Sequence, residues 1–190
     1  MNYLFITVVL LMVMLSGRVL SENAKQSHNS EKVVANAGEF VAEYVVSDKH
    51  KIPVRGRASF VFSRIQSDES IAGVMTVSLT EPSRSGIAEQ VGKTLAETPE
   101  VLTFKNVLAF LKKDALCPKL SIYLDDKTLV FLGNKMVVDD FSFDIDLENN
   151  SEALRNLLCQ WAKSIKAGSL HTYRLANQIT TKLQGKSNDD

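Results

Sequence analysis

The chain has 190 residues, with 22 basic and 22 acidic side chains that balance to a formal net charge of zero, and 45% of its residues are hydrophobic. That balance supplies no general field for nucleic acid or an anionic membrane surface, while the hydrophobic share suits an ordinary domain with a buried core. Two cysteines and three histidines at scattered positions leave no C-x-x-C or Cys/His cluster for a metal or redox centre, so no metal or cofactor is expected.

Leu4 to Leu15 is an apolar run of signal-peptide length, too short for a helix that crosses a bilayer, and Val19 and Ser21 suit the positions three and one before a cleavage site. Residues 1–21 therefore read as a signal peptide cut before Glu22. The product is expected in the secretory pathway, secreted or in the endoplasmic reticulum lumen. Residues 22–32 are polar and aperiodic, a flexible leader; 33–184 read as a single α+β domain and 185–190 as a polar tail. No second long apolar run follows, so no membrane span is expected.

Alternation from Glu39 to Val46 predicts a strand that ends in the turn Ser47 to His50. A second strand is predicted over Val54 to Ile65 and a third over Ile71 to Leu79, an antiparallel meander. The period then changes. Ile87, Val91 and Leu95 form a helical stripe; after Thr98-Pro99-Glu100, which has the form of an N-cap followed by proline, Val101, Phe104, Leu108, Leu111 and Ala115 form a second, closed by Pro118. Leu120 to Leu124, Thr128 to Leu132 and Met136 to Leu147 predict a second meander. Asn149 and Glu152 have capping-box spacing ahead of a helix carrying Leu154, Leu157, Leu158, Trp161 and Ile165, ended by Gly168. Thr172, Leu175, Ala176, Ile179 and Leu183 share one side of a last helix. The order βββ-αα-βββ-αα predicts an α+β fold, an antiparallel sheet from two three-stranded meanders with helices packed on one face.

Cys117 and Cys159 are an even pair in a chain bound for an oxidising compartment and are expected to form a disulfide; closing a loop of about 43 residues stabilises by roughly 4 kcal/mol in the chain-entropy picture. Asn149-Asn150-Ser151 is an acceptor sequon for glycosylation at Asn149. The segment from Asp140 alternates Asp140, Asp144, Asp146 and Glu148 against Phe141, Phe143, Ile145 and Leu147. Same-face strand positions lie roughly 6.6 Å apart, too far to converge on calcium, so this is a solvated strand face or an acidic surface for a basic partner. Lys49, Lys51, Arg55, Arg57 and Arg64 form its basic counterpart, read as an edge strand defended by charge or as part of a docking surface. The glycines of Gly86 to Thr94 miss phosphate-loop spacing by one residue, and no catalytic motif is present.

These readings favour a non-enzymatic binding protein, secreted or lumenal, that acts on another protein through its sheet and loops. A carrier of a lipid-like apolar molecule in a sheet-and-helix cavity is the alternative, and an unrecognised hydrolase the third.

Overall fold

The computed structural model describes residues 30–112, 117–125, 127–140 and 142–185. The proposed signal peptide, most of the leader, Ala115, Phe141 and nearly all of the tail lie outside them. Eight strands are described: β1 (Val34–Ser47), β2 (His50–Ile65), β3 (Ile71–Leu79), β4 (Val101–Leu111), β5 (Leu120–Leu124), β6 (Thr128–Phe131), β7 (Asn134–Val138) and β8 (Phe143–Asp146). The helices are α1 (Glu81–Gln90), α2 (Glu152–Ala167) and α3 (Thr172–Gln184), with a 3-10 turn at Leu95–Glu97.

This order corrects the expected βββ-αα-βββ-αα pattern. Val101–Leu111 is a strand, not a second helix, because a one-residue irregularity interrupts its alternation. Leu102 and Phe104 lie opposite Val77 and Met75 of β3, whereas Val107 and Ala109 lie opposite Gly73 and Ile71; Asn106, at φ 56°, is the extra residue. The insertion shifts the inward side chains by one and breaks the alternation, and the apolar stripe of helical spacing, Val101, Phe104, Leu108 and Leu111, mixes the outward Val101 and Leu108 with the inward Phe104 and Leu111. The predicted strand over Met136 to Leu147 likewise breaks into β7 and β8.

The expected sheet with helices on one face also gives way to a ring. β1 pairs with β2 on one side; on the other it pairs with β8 through Val34, Ala35 and Asn36 and with β7 through Ala42 to Val45. With the remaining pairings, all antiparallel, β1-β2-β3-β4-β5-β8 closes on itself, and the β6–β7 hairpin branches from the later half of β1. Closure turns one face of every strand inward and leaves the other face to solvent. Phe40 and Tyr44 of β1, Phe60 of β2, Met75 of β3, Ile122 of β5 and Phe143 of β8 are fully buried, whereas Arg55, Arg57, Ser78, Thr103 and Lys105 are exposed. Gly73 belongs to this packing: a Cβ there would stand 2.4 Å from both the Phe60 ring and the Val61 carbonyl oxygen.

The α2–α3 pair lies where β1 begins and β2 ends. The Thr180 hydroxyl accepts from the Ile65 amide at 3.0 Å, and the Glu31 carboxylate accepts from the Ser151 amide and hydroxyl at 3.0 and 2.8 Å. Leu154, Leu158, Trp161, Ala162, Leu175, Ala176, Ile179 and Leu183, the apolar stripes of both helices, are buried with the barrel residues. The cap of α2 is Ser151, whose Oγ accepts from the Leu154 amide at 3.2 Å; Asn149 stands two residues ahead of it, not at the cap. Gly168, at φ 60°, ends the helix as expected. A Cys117–Cys159 disulfide ties α2 to the segment entering β5, with Cα atoms 5.6 Å apart. No helix among the described residues is long and apolar enough to cross a membrane.

Candidate functional site

Of the predicted basic surface, only Arg57 lies where β2 is paired on both sides; Lys51 and Arg55 pair with β1 alone and Arg64 with β3 alone. From Gly56 to Val61 β2 is paired with both β1 and β3, and α1 stands beside its first half, where the Ser83 hydroxyl accepts from the Arg55 amide at 2.8 Å. Lys51 is ion-paired with Glu43 at 2.6 Å and Arg55 with Glu39 at 3.2 Å, so the acidic residues of β1 match the cations of its neighbour. Lys49 sits in the β1–β2 turn. Arg57 lies in a shallow groove of about 440 Å³ with Asn36, Ser59, Thr76 and Ser78, while Arg64 is near the far end of β2, roughly 40 Å from Lys51 at the rise of a strand. The five cations are not one patch.

The acidic surface is gathered in part. Asp144, Asp146 and Glu148 line a groove of about 630 Å³ beside the disulfide, together with Lys119 and Arg155. Asp146 is engaged locally, accepting from the Glu148 amide at 3.0 Å and the Asn149 side chain at 2.8 Å. Asp140 stands apart in the β7–β8 connection, paired with Lys127.

Among the described residues, two carboxylates are held below their ordinary pKa values, and both serve turns. The Ser70 hydroxyl and then its amide hold Asp68 below its ordinary value; the Thr94 amide and then its hydroxyl do the same for Glu97.

The last concavity depends on β4 being a strand, which no local pattern of residues reveals. β5 pairs with β4 only at Ala109, Phe110 and Leu111, and the Asp125 amide then donates to the Leu108 carbonyl at 3.0 Å. Beyond that point the chain leaves β4 and pairs with β7 as β6. The wall splits into a V with its apex at Leu108 and Asp125, forming a groove of about 510 Å³ lined by Thr103 to Leu108 on one side and by Asp125 and Thr128 to Val130 on the other.

Register shows what the walls present. The Leu79 amide donates to the Glu100 carbonyl, so Leu102 and Phe104 bond to β3, whereas the amides and carbonyls of Val101, Thr103 and Lys105 point away from β3. The Val138 amide donates to the Lys127 carbonyl, so Leu129 bonds to β7 and the backbone of Val130 points outward. Among the described residues, the main chains of Thr103, Lys105 and Val130 have no hydrogen-bond partner in the fold. Val130 is 66% exposed, and Leu132, at φ 50° in the β6–β7 turn, is 41% exposed.

These features define an antiparallel α+β barrel split along one wall. No protein-family model, curated protein or solved structure matches the chain.

Proposed function

We propose that this is a non-enzymatic binding protein, secreted or lumenal, that works by contact with another protein. The observation that carries the reading is the split wall, where two strand edges border one groove beside the exposed Val130 and Leu132. Open edges and grouped apolar side chains are costly in water and attract aggregation, so a stable domain that keeps them has a use for them. Leu132 strengthens the point: a bulky residue at positive φ is strained, and this one is spent on solvent rather than on packing.

The compartment is supported by the disulfide and by the signal-like run at residues 4–15. Asn149 is exposed and free of the capping role, which suits a glycan acceptor.

The carrier reading draws less support, because Phe40, Tyr44, Phe60, Met75, Phe143 and Trp161 fill the interior and the larger concavities border the surface. No specific observation favours a hydrolase.

Material recovered from its native source without denaturation should hold a protein partner in fixed ratio, and organic extraction should release no stoichiometric apolar molecule. A stoichiometric lipid without a protein partner would replace this reading with the carrier.

A further inference from the structure

We propose that the split between β4 and β6 receives an extended segment of a partner polypeptide as an added β-strand; the inference rests on the protein-binding reading and names the form its partner takes.

Each wall offers what a strand needs. Val101, Thr103 and Lys105 present amides and carbonyls along β4 at every second residue, the spacing of an antiparallel ladder, and Val130 presents the same groups from β6, to which such a strand runs parallel. The inward-facing side chains beside the gap are apolar: Phe104 is partly buried, and Val107 and Leu129 are buried. A strand lying there would therefore set alternate apolar residues over Phe104 and Leu129 and turn its other residues outward, between Thr103 and Lys105 on one side and Val130 on the other.

Direction and charge follow from the same geometry. A segment antiparallel to β4 begins at the apex by Asp125 and runs past Lys105 towards Val101. Lys105 forms no ion pair among the described residues, and its side chain is exposed. The segment that fits carries a basic group at its start, facing Asp125, and a carboxylate a few residues later, facing Lys105.

Hydrogen exchange tests the placement. In the free protein the amides of Thr103, Lys105 and Val130 should exchange rapidly, while those of Leu102, Phe104 and Leu129 are slow. Peptides selected against the wild type from a random library of linear sequences about ten residues long should protect the three fast amides. The selected sequences should alternate apolar and polar residues, with the basic group before the acidic one. Thr103→Pro removes only a groove-facing N–H and should weaken those peptides about tenfold or more, as should Lys105→Glu, whereas Leu170→Asn, in the α2–α3 turn, should not. Lys105→Glu leaves the backbone untouched and serves as the check if Thr103→Pro fails to fold.

Slow exchange of all three amides in the free monomer, or selected peptides indifferent to both groove variants, would overturn the proposal. So would protection that rises with protein concentration as a dimer forms. A native partner that binds both groove variants as tightly as wild type would sink the added strand yet leave the protein-binding reading in place. A lipid recovered in the partner's stead would remove both.

Discussion

The end of the barrel under α2 and α3 and the split between β4 and β6 treat backbone and apolar surface in opposite ways. Under the helices, the end of β2 is satisfied by the Thr180 hydroxyl, the start of α2 by its own Ser151, and the helical stripes meet the barrel core. At the split, among the described residues, the main chains of Thr103 and Lys105 in β4 and Val130 in β6 are unmatched, and Val130 and Leu132 are held in solvent. One sheet can do both because strand pairing is local: β5 follows β4 for three residues, then its chain departs to serve β7. With the split as the proposed recognition surface, substitutions at the two places should separate stability from binding.

The largest effect is expected at the closed end. Trp161 is fully buried, and Trp161→Ala should cost about 3–5 kcal/mol, read as a shift of the denaturation midpoint. Its indole Nε1 has no hydrogen-bond partner among the described residues, so Trp161→Phe removes an unmatched donor along with some apolar area and should cost clearly less. A midpoint unmoved by Trp161→Ala would erase the contrast between the ends.

Opening the disulfide comes next. Replacing both Cys117 and Cys159 by Ala should cost about 2–4 kcal/mol by chemical denaturation, because the bond constrains the unfolded chain across a separation of 42 residues. Partner binding at the split should survive in the fraction that remains folded.

At the split the sign reverses. Leu132 precedes Gly133, at φ 80°, in a turn where both residues are left-handed, a setting that favours Asn over Leu. Leu132→Asn should raise stability by about 0.5–1 kcal/mol in thermal melts while weakening the native partner. If stability rises and binding is unchanged, the exposed leucine is not part of the recognition surface.

The smallest effect is on pH dependence. Asp68 and Glu97 are held below ordinary values of 3.8 and 4.5 by Ser70 and Thr94. A carboxylate depressed in the folded state contributes stability above its unfolded value and loses it as the pH falls through the folded one. Both groups are exposed, so a modest loss is expected as acid takes the pH below about 4, and Asp68→Asn with Glu97→Gln should flatten that part of the curve.

The amino-acid sequence by itself determined the first three strands, the apolar stripes of α2 and α3 and the core position of Trp161, because alternation and the helical repeat are written within one segment at a time. Pairing Cys117 with Cys159 was also legible, since two cysteines admit one intramolecular bridge. Helix ends were read less well: Asn149 has the spacing of a cap, but Ser151 takes the role, as backbone conformation decides between neighbouring polar residues. Only the tertiary structure decided the rest. Asn106 broke the alternation of β4 while the outward Val101 and Leu108 completed an apolar stripe of helical spacing, and nothing within Val101–Leu111 distinguishes the two until β3 pairs with it. The charges of β2 resembled an edge, but Arg57 is paired on both sides, α1 stands beside Arg55, and Glu39 and Glu43 meet Arg55 and Lys51. The ring and its split depend on β1 reaching β2, β7 and β8 together and on the point where β5 parts from β4, contacts between residues far apart along the chain that no local pattern encodes.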